Sequence, residues 1–157
     1  MKALLIVWHS RTGAARQMAE AGADAAVGVR ARLVSAAEAG PDDVLAADGY
    51  IFAAPENLAA LSGPMKDFFD RCYYPVLDRV NGRPYALLVA AGTDGSNVVR
   101  QVARIATGWR LRLIAEPIIV RTNAQAILAP KRVAADDLAR CAELAAAFAA
   151  GLADGIF

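Results

Sequence analysis

The chain is poor in the residues that staple, ligate or anchor. Its 157 residues hold two cysteines, Cys72 and Cys141, and one histidine, His9. Cysteines this far apart, without metal-ligand spacing, read as reduced thiols and point to a cytoplasmic compartment. Neither sign of charge is in excess: 17 Lys and Arg face 16 Asp and Glu, a formal charge of +1. With no basic run, nucleic acid is not expected as a partner. No apolar stretch approaches the ~20 residues that cross a bilayer. The apolar start, Met1 to Trp8, is too short for a secretory signal and has no small-residue cleavage site after it. The expectation is one soluble domain without membrane insertion.

What the chain does have is alanine-rich apolar sequence, 57% of its residues. A chain of this length buries roughly two-thirds of the surface it exposes when unfolded, so a core needs no staples. Short continuous apolar runs read as strands covered on both faces, as in parallel sheets. They are Ala3 to Trp8, Tyr50 to Ala54, Tyr85 to Ala91 and Leu113 to Val120, with a weaker strand at Arg30 to Val34. Helical patterns alternate with them. From Ala14 to Val27 the residues Ala14, Met18, Ala21 and Ala25 share a face. Ser35 and Glu38 have capping-box spacing before a short helix, Pro41 to Ala47. Ser62-Gly63-Pro64 reads as a helix start with Met65, Phe68 and Cys72 facing inward. Val98, Val102 and Ile105 form a stripe that stops at Gly108. Leu138, Cys141, Ala145, Phe148 and Leu152 line a last helix. Strand and helix repeated five times predict a doubly wound parallel α/β sheet with helices on both faces. The segment 121–134 has no pattern and reads as surface loop, with a subunit contact as one use.

In such a sheet ligands bind beyond the carboxyl ends of the strands, at the switch in strand order. Three segments fall there: His9 to Ala15, Pro55 to Gly63 and Gly92 to Asn97. The first combines the hydroxyls of Ser10 and Thr12, the cation of Arg11 and the backbone of Gly13, Ala14 and Ala15 at a helix start. Free amides and the helix dipole there suit a phosphate; the plainer alternative is a helix capped by Thr12. A GxxxxGK[ST] loop and a GxGxxG after the first strand are both missing, so neither a P-loop nor a dinucleotide site is indicated. Receiver-type chemistry lacks its acidic residues, because His9-Ser10 and Ala54-Pro55 stand in those places.

The run Leu4 to Ala15, the segment Asp48-Gly49-Tyr50-Ile51-Phe52-Ala53-Ala54-Pro55, and Ser62-Gly63-Pro64-Met65-Lys66-Asp67-Phe68-Phe69-Asp70 together resemble the flavodoxin-like NAD(P)H-dependent FMN reductase and quinone reductase family. The resemblance spans the chain in order. It implies a five-stranded sheet of order 2-1-3-4-5 and FMN as cofactor, with NAD(P)H as electron donor and a quinone or similar small molecule as acceptor. It also implies a homodimer or homotetramer. By it the phosphate falls to His9, Ser10, Arg11, Thr12, Gly13, Ala14 and Ala15. The ribityl chain and ring fall to Pro55, Glu56, Asn57, Leu58 and Ala59, and to Ala91, Gly92, Thr93, Asp94 and Gly95. An electron carrier, or a binding protein of the same fold without activity, is the alternative. Two departures bear on this. Ala15 stands where flavodoxins place a hydroxyl, and neither loop carries a stacking aromatic.

Single residues have two readings each. His9 is a phosphate or proton-transfer group, or a structural residue at a strand end. Thr93 and Asp94 touch the cofactor or cap the next helix. Tyr73 and Tyr74 are expected near the site, packing or covering a flavin, and Trp109, Cys72 and Cys141 are expected in the core.

Overall fold

The computed structural model describes residues 1–123 and 125–157. The chain runs β1 (Ala3–Trp8), α1 (Ala14–Ala25), β2 (Arg30–Ser35), α2 (Pro41–Ala46), β3 (Gly49–Asn57), β4 (Ala60–Leu61) and α3 (Gly63–Val76). It continues β5 (Pro84–Ala91), α4 (Ser96–Gly108), β6 (Arg112–Leu113), β7 (Ile118–Arg121) and α5 (Ala135–Ala153). The parallel order is β2-β1-β3-β5, with β6 and β7 sharing the outer edge of β5. Counting β6 and β7 as one broken strand, this is the expected 2-1-3-4-5 sheet.

Alternation within the buried strands sorts the core into two layers. Leu5, Val7, Tyr50, Phe52, Tyr85 and Leu87 face α3 and α4, where they meet Phe68, Phe69 and Trp109. Leu4, Ile6, Ile51, Ala53, Ala86 and Leu88 face α1 and α5. Small residues let that second layer close up. A Cβ on Gly22 of α1 would lie 3.4 Å from the Ala145 methyl on α5, and one on Gly49 would meet Phe148 at 2.9 Å. Cys72 and Cys141 are buried in the two layers, and burial pushes each thiol up to about 11. Among the described residues no helix is long and apolar enough to cross a membrane.

Several boundaries differ from the sequence reading. Leu113 to Val120 is not one strand. Pro117 has no N–H to donate to the ladder, and after Ile114, whose N–H still donates to Tyr85 O, the chain leaves the sheet until β7 resumes at Ile118. Helix α1 stops at Ala25, because the chain turns through Val27 and the positive φ of Gly28 to enter β2. Its buried face is Ala14, Ala15, Met18, Ala19 and Gly22; Ala21 and Ala25 are only half-buried. Ser35 does donate to Glu38, at 2.7 Å, but within a turn. Helix α2 starts at Pro41 as expected but under Gly40, whose N–H is accepted by Asp43, and ends at Ala46. Tyr73 and Tyr74 lie at the far end of α3, roughly 15–20 Å along the helix from its start; Tyr73 packs on the core and Tyr74 is exposed.

Candidate functional site

Parallel strands deliver the loops after β1, β3 and β5 to one end of the sheet, and side chains tie these loops together. At the first loop, Gly13 takes φ 98 and is the residue before α1, so Thr12 is not the helix cap. Ser10 Oγ accepts the Gly13 N–H at 3.0 Å. The N–H groups of Ala14, Ala15 and Arg16 open the 12-residue helix, and the N–H groups of a first helical turn have no intrahelical partner. The Arg11 side chain is exposed and has no partner among the described residues. Amides at a helix N-terminus, a left-handed glycine, the Thr12 hydroxyl and a free guanidinium form the donor set that a phosphomonoester requires. The loop thus offers chemistry that fits an FMN phosphate, with Ala15 contributing a backbone N–H and no hydroxyl.

His9 joins the first loop to the second. Its N–H donates to Ala53 O at 3.0 Å, and its Nδ1 lies 2.9 Å from Ser62 Oγ. Burial, and then the charge of Arg11, hold the imidazole below its usual range. Ser62 is fully buried at the start of α3, a position missed because Ser-Gly-Pro reads as a helix start and nothing more.

The second segment is not the polar loop expected. Strand β3 continues through Pro55, Glu56 and Asn57, then reverses at Leu58-Ala59 into β4. Both turn residues have positive φ, 50 and 62, without being glycine. Leu58 is fully exposed at the tip. This hairpin is held from the third segment: Asn97 Nδ2 donates to Ala59 O, Leu61 N–H donates to Gln101 Oε1, and Gly95 N–H donates to Glu56 Oε2. Ala91 is buried at the end of β5, while Gly92, Thr93 and Asp94 are exposed. Asp94 accepts from both the N–H and the hydroxyl of Ser96, which lowers its carboxyl. Asp94 thus holds the first residue of α4 from one position outside the helix, whose N-cap is Gly95. Thr93 O accepts from Arg121 Nε.

A fourth element was not foreseen as part of this end. Residues 131–133 fold back onto the first loop. Lys131 N–H donates to Thr12 O at 2.7 Å, and Gln17 of α1 grips the segment by donating to Lys131 O and accepting from Val133 N–H. The Lys131 ammonium donates to the carbonyls of Ala126, Ile127 and Ala129. A groove of about 510 Å³ lies elsewhere, between 114–118, α5 and Phe157.

Solved flavodoxins share this fold. One from the domain Archaea superposes with a TM-score of 0.78 at 17% identity, covering 96% of this chain and 98% of that one. A flavodoxin, WrbA-like protein from Agrobacterium tumefaciens gives 0.76 at 17% identity, with 96% of each chain covered. Oxidised flavodoxin 1 from Bacillus cereus gives 0.77 at 18% identity, covering 96% and 99%. At such identities the likeness shows the fold. A flavodoxin from Aquifex aeolicus is 34% identical over 103 residues, 63% of this chain and 56% of that protein, so the match spans little more than half of that relative. The family model for NADPH-dependent FMN reductases matches residues 24–125, taking in the second and third segments but starting after the first loop. A match over more than half of the chain, on a flavodoxin fold, makes this protein a member of the NADPH-dependent FMN reductase family.

Proposed function

We propose that the domain binds FMN with its phosphate on the first loop, and that it acts as an oxidoreductase passing electrons from NAD(P)H to a quinone or similar small acceptor. The observation that carries the reading is the anion cradle at the switch point: the N–H groups at the start of α1, the left-handed Gly13, and Arg11, which has no partner among the described residues. When bound, FMN supplies the redox chemistry, and the protein supplies binding, orientation and access. Arg11, Thr12 and the amides of Ala14 and Ala15 hold the phosphate. Glu56 fixes the hairpin against the turn before α4, and the two segments frame the place for the ring. Neither carries an aromatic side chain, so a planar substrate has access to the ring face.

An electron carrier is the second reading, and the identity with a flavodoxin favours it. Charge weighs against it. A carrier steers to its partner through a concentrated field, and this chain is near neutral. The test is a titration of apoprotein with FMN, followed by anaerobic addition of NADH or NADPH and then a small quinone. Quenched flavin fluorescence, bleaching by a nicotinamide and recovery with the quinone are expected. Bleaching by dithionite alone would leave the carrier; unquenched FMN would remove the flavin reading.

A further inference from the structure

The side chain of Ser62 is placed unusually for its position. It stands at the start of α3, where a serine hydroxyl ordinarily accepts an N–H of the first helical turn. Here the hydroxyl makes no such bond; it is fully buried and turned to His9 Nδ1, 2.9 Å away. The His9 backbone is pinned as well, by its N–H on Ala53 O. The ring is thus fixed on two elements. Its Nε2 has no partner among the described residues, and the half-buried ring stands at the entrance to the first loop.

The partner chosen for Nδ1 matters. A hydroxyl both donates and accepts, so Ser62 can bond a neutral or a charged imidazole, rotating its proton to suit. A carbonyl or carboxylate in its place would favour the protonated nitrogen. The pair therefore survives a change of charge on the ring without moving it.

The surroundings supply the change. Arg11 is the charged group that acts on His9, and the open end of α1 adds partial positive charge to the same loop. With the cradle empty, these oppose a further cation. A phosphate placed among them reverses the sign of the local field and favours the imidazolium, whose Nε2–H is a donor.

We propose that His9, gripped by Ser62, is a proton-linked ligand of the FMN phosphate: neutral when the loop is empty and charged when the phosphate is in place, so that cofactor and proton bind together. The proton comes from solvent and resides on the imidazole, with Nδ1 donating to Ser62 Oγ and Nε2 toward the phosphate. The inference rests on the FMN reading above and adds to it a pH dependence of affinity.

His9 is the only histidine in the chain, so its imidazole NMR signal identifies itself. The experiment titrates that signal in apoprotein, with FMN and with riboflavin, which lacks the phosphate. It pairs this with calorimetric FMN titrations near pH 7 in buffers of different ionisation enthalpy. FMN is expected to raise the His9 midpoint by at least about one pH unit and riboflavin to leave it in place. Parent protein should take up more protons per FMN than His9→Gln does; comparing the two cancels the phosphate's own ionisation. Affinity for FMN should fall as pH rises between the two His9 midpoints, by up to about tenfold per unit, and His9→Gln should flatten that slope. Ser62→Ala, which removes no helix cap, should shrink the midpoint shift. Quenched FMN with an unmoved His9 midpoint, or with equal proton uptake in parent and His9→Gln, overturns the proposal and leaves the flavin site standing. FMN that is not quenched at all removes the flavin site and the proposal together.

Discussion

Glu56 at the end of β3 and Gly95 at the start of α4 are joined directly, the carboxylate accepting the Gly95 N–H at 3.0 Å. This bond is one of three that tie the β3–β4 hairpin to the start of α4, and it steadies a hairpin whose turn residues, Leu58 and Ala59, sit in the left-handed region. Non-glycine residues there cost of order 1 kcal/mol each, a cost that outside contacts must offset. A hydrogen bond to an ionised acceptor contributes about 1.5–3 kcal/mol. Glu56→Ala should therefore lower the free energy of unfolding by about 1–2 kcal/mol and weaken FMN binding. Glu56→Gln, which keeps an acceptor oxygen, should lose less of both. Urea denaturation and fluorescence titration of the two variants decide it.

Arg11→Ala and Thr12→Ala should each weaken FMN without unfolding the domain. Arg11 is exposed and Thr12 half-buried, and the Arg11 side chain bonds no other described residue. Substitutions of that kind stay within about 0.5 kcal/mol of parent stability, whereas a lost charge-assisted contact to phosphate costs roughly tenfold in affinity or more. Riboflavin is the control, since it offers no phosphate to lose. Equal FMN affinity in parent and both variants would take the first loop out of the site.

How much of this site was legible in the sequence depended on the range of the contact. The first loop was readable because an apolar strand, a hydroxyl-rich turn and a helix follow one another directly between Ala3 and Ala25. The β3–β4 hairpin was not, because Leu58-Ala59 has none of the Gly or Asn that marks a tight turn, and Pro55-Glu56-Asn57 looks like loop. The broken outer strand was hidden by the apolar residues on either side of Pro117. The bonds His9–Ser62, Glu56–Gly95 and Gln17–Val133 cross 53, 39 and 116 residues. No local periodicity reports on such pairs; only the sheet order brings them together.

Gln17 shows what such a long-range contact holds. Its amide donates to Gly13 O and Lys131 O and accepts from Val133 N–H, fastening 131–133 against the start of α1. Nothing apolar replaces these bonds in Gln17→Ala, and two of them close the long segment between β7 and α5. The expected loss is about 1–3 kcal/mol of local stability, read as faster tryptic cleavage after Lys131 or Arg132 under native conditions. A cleavage rate equal to that of the parent would mean that Lys131 N–H on Thr12 O is sufficient to hold the segment.

Two glycines in the third segment separate fold from ligand. The simple expectation is that a bulky residue at either Gly92 or Gly95 blocks the cofactor. The structure divides them. Gly95 has φ 91, and a Cβ there would meet Ile119 Cγ2 at 2.8 Å and the Ala91 methyl at 3.2 Å. Any side chain at Gly95 is strained in its backbone and collides with β7 before it reaches a ligand. Gly95→Ala should therefore destabilise the domain by about 1–3 kcal/mol with or without FMN. Gly92 has no positive φ and no atom within 4 Å of a built Cβ, so Gly92→Leu meets nothing in the protein. Its side chain would project into open space from the exposed turn after β5, one of the segments proposed to frame the ring. Gly92→Leu should thus unfold like the parent in urea and yet bind FMN at least tenfold more weakly. Parent-like binding by Gly92→Leu would move the ring away from this turn, and a stable Gly95→Ala would show that β7 yields more readily than its packing implies.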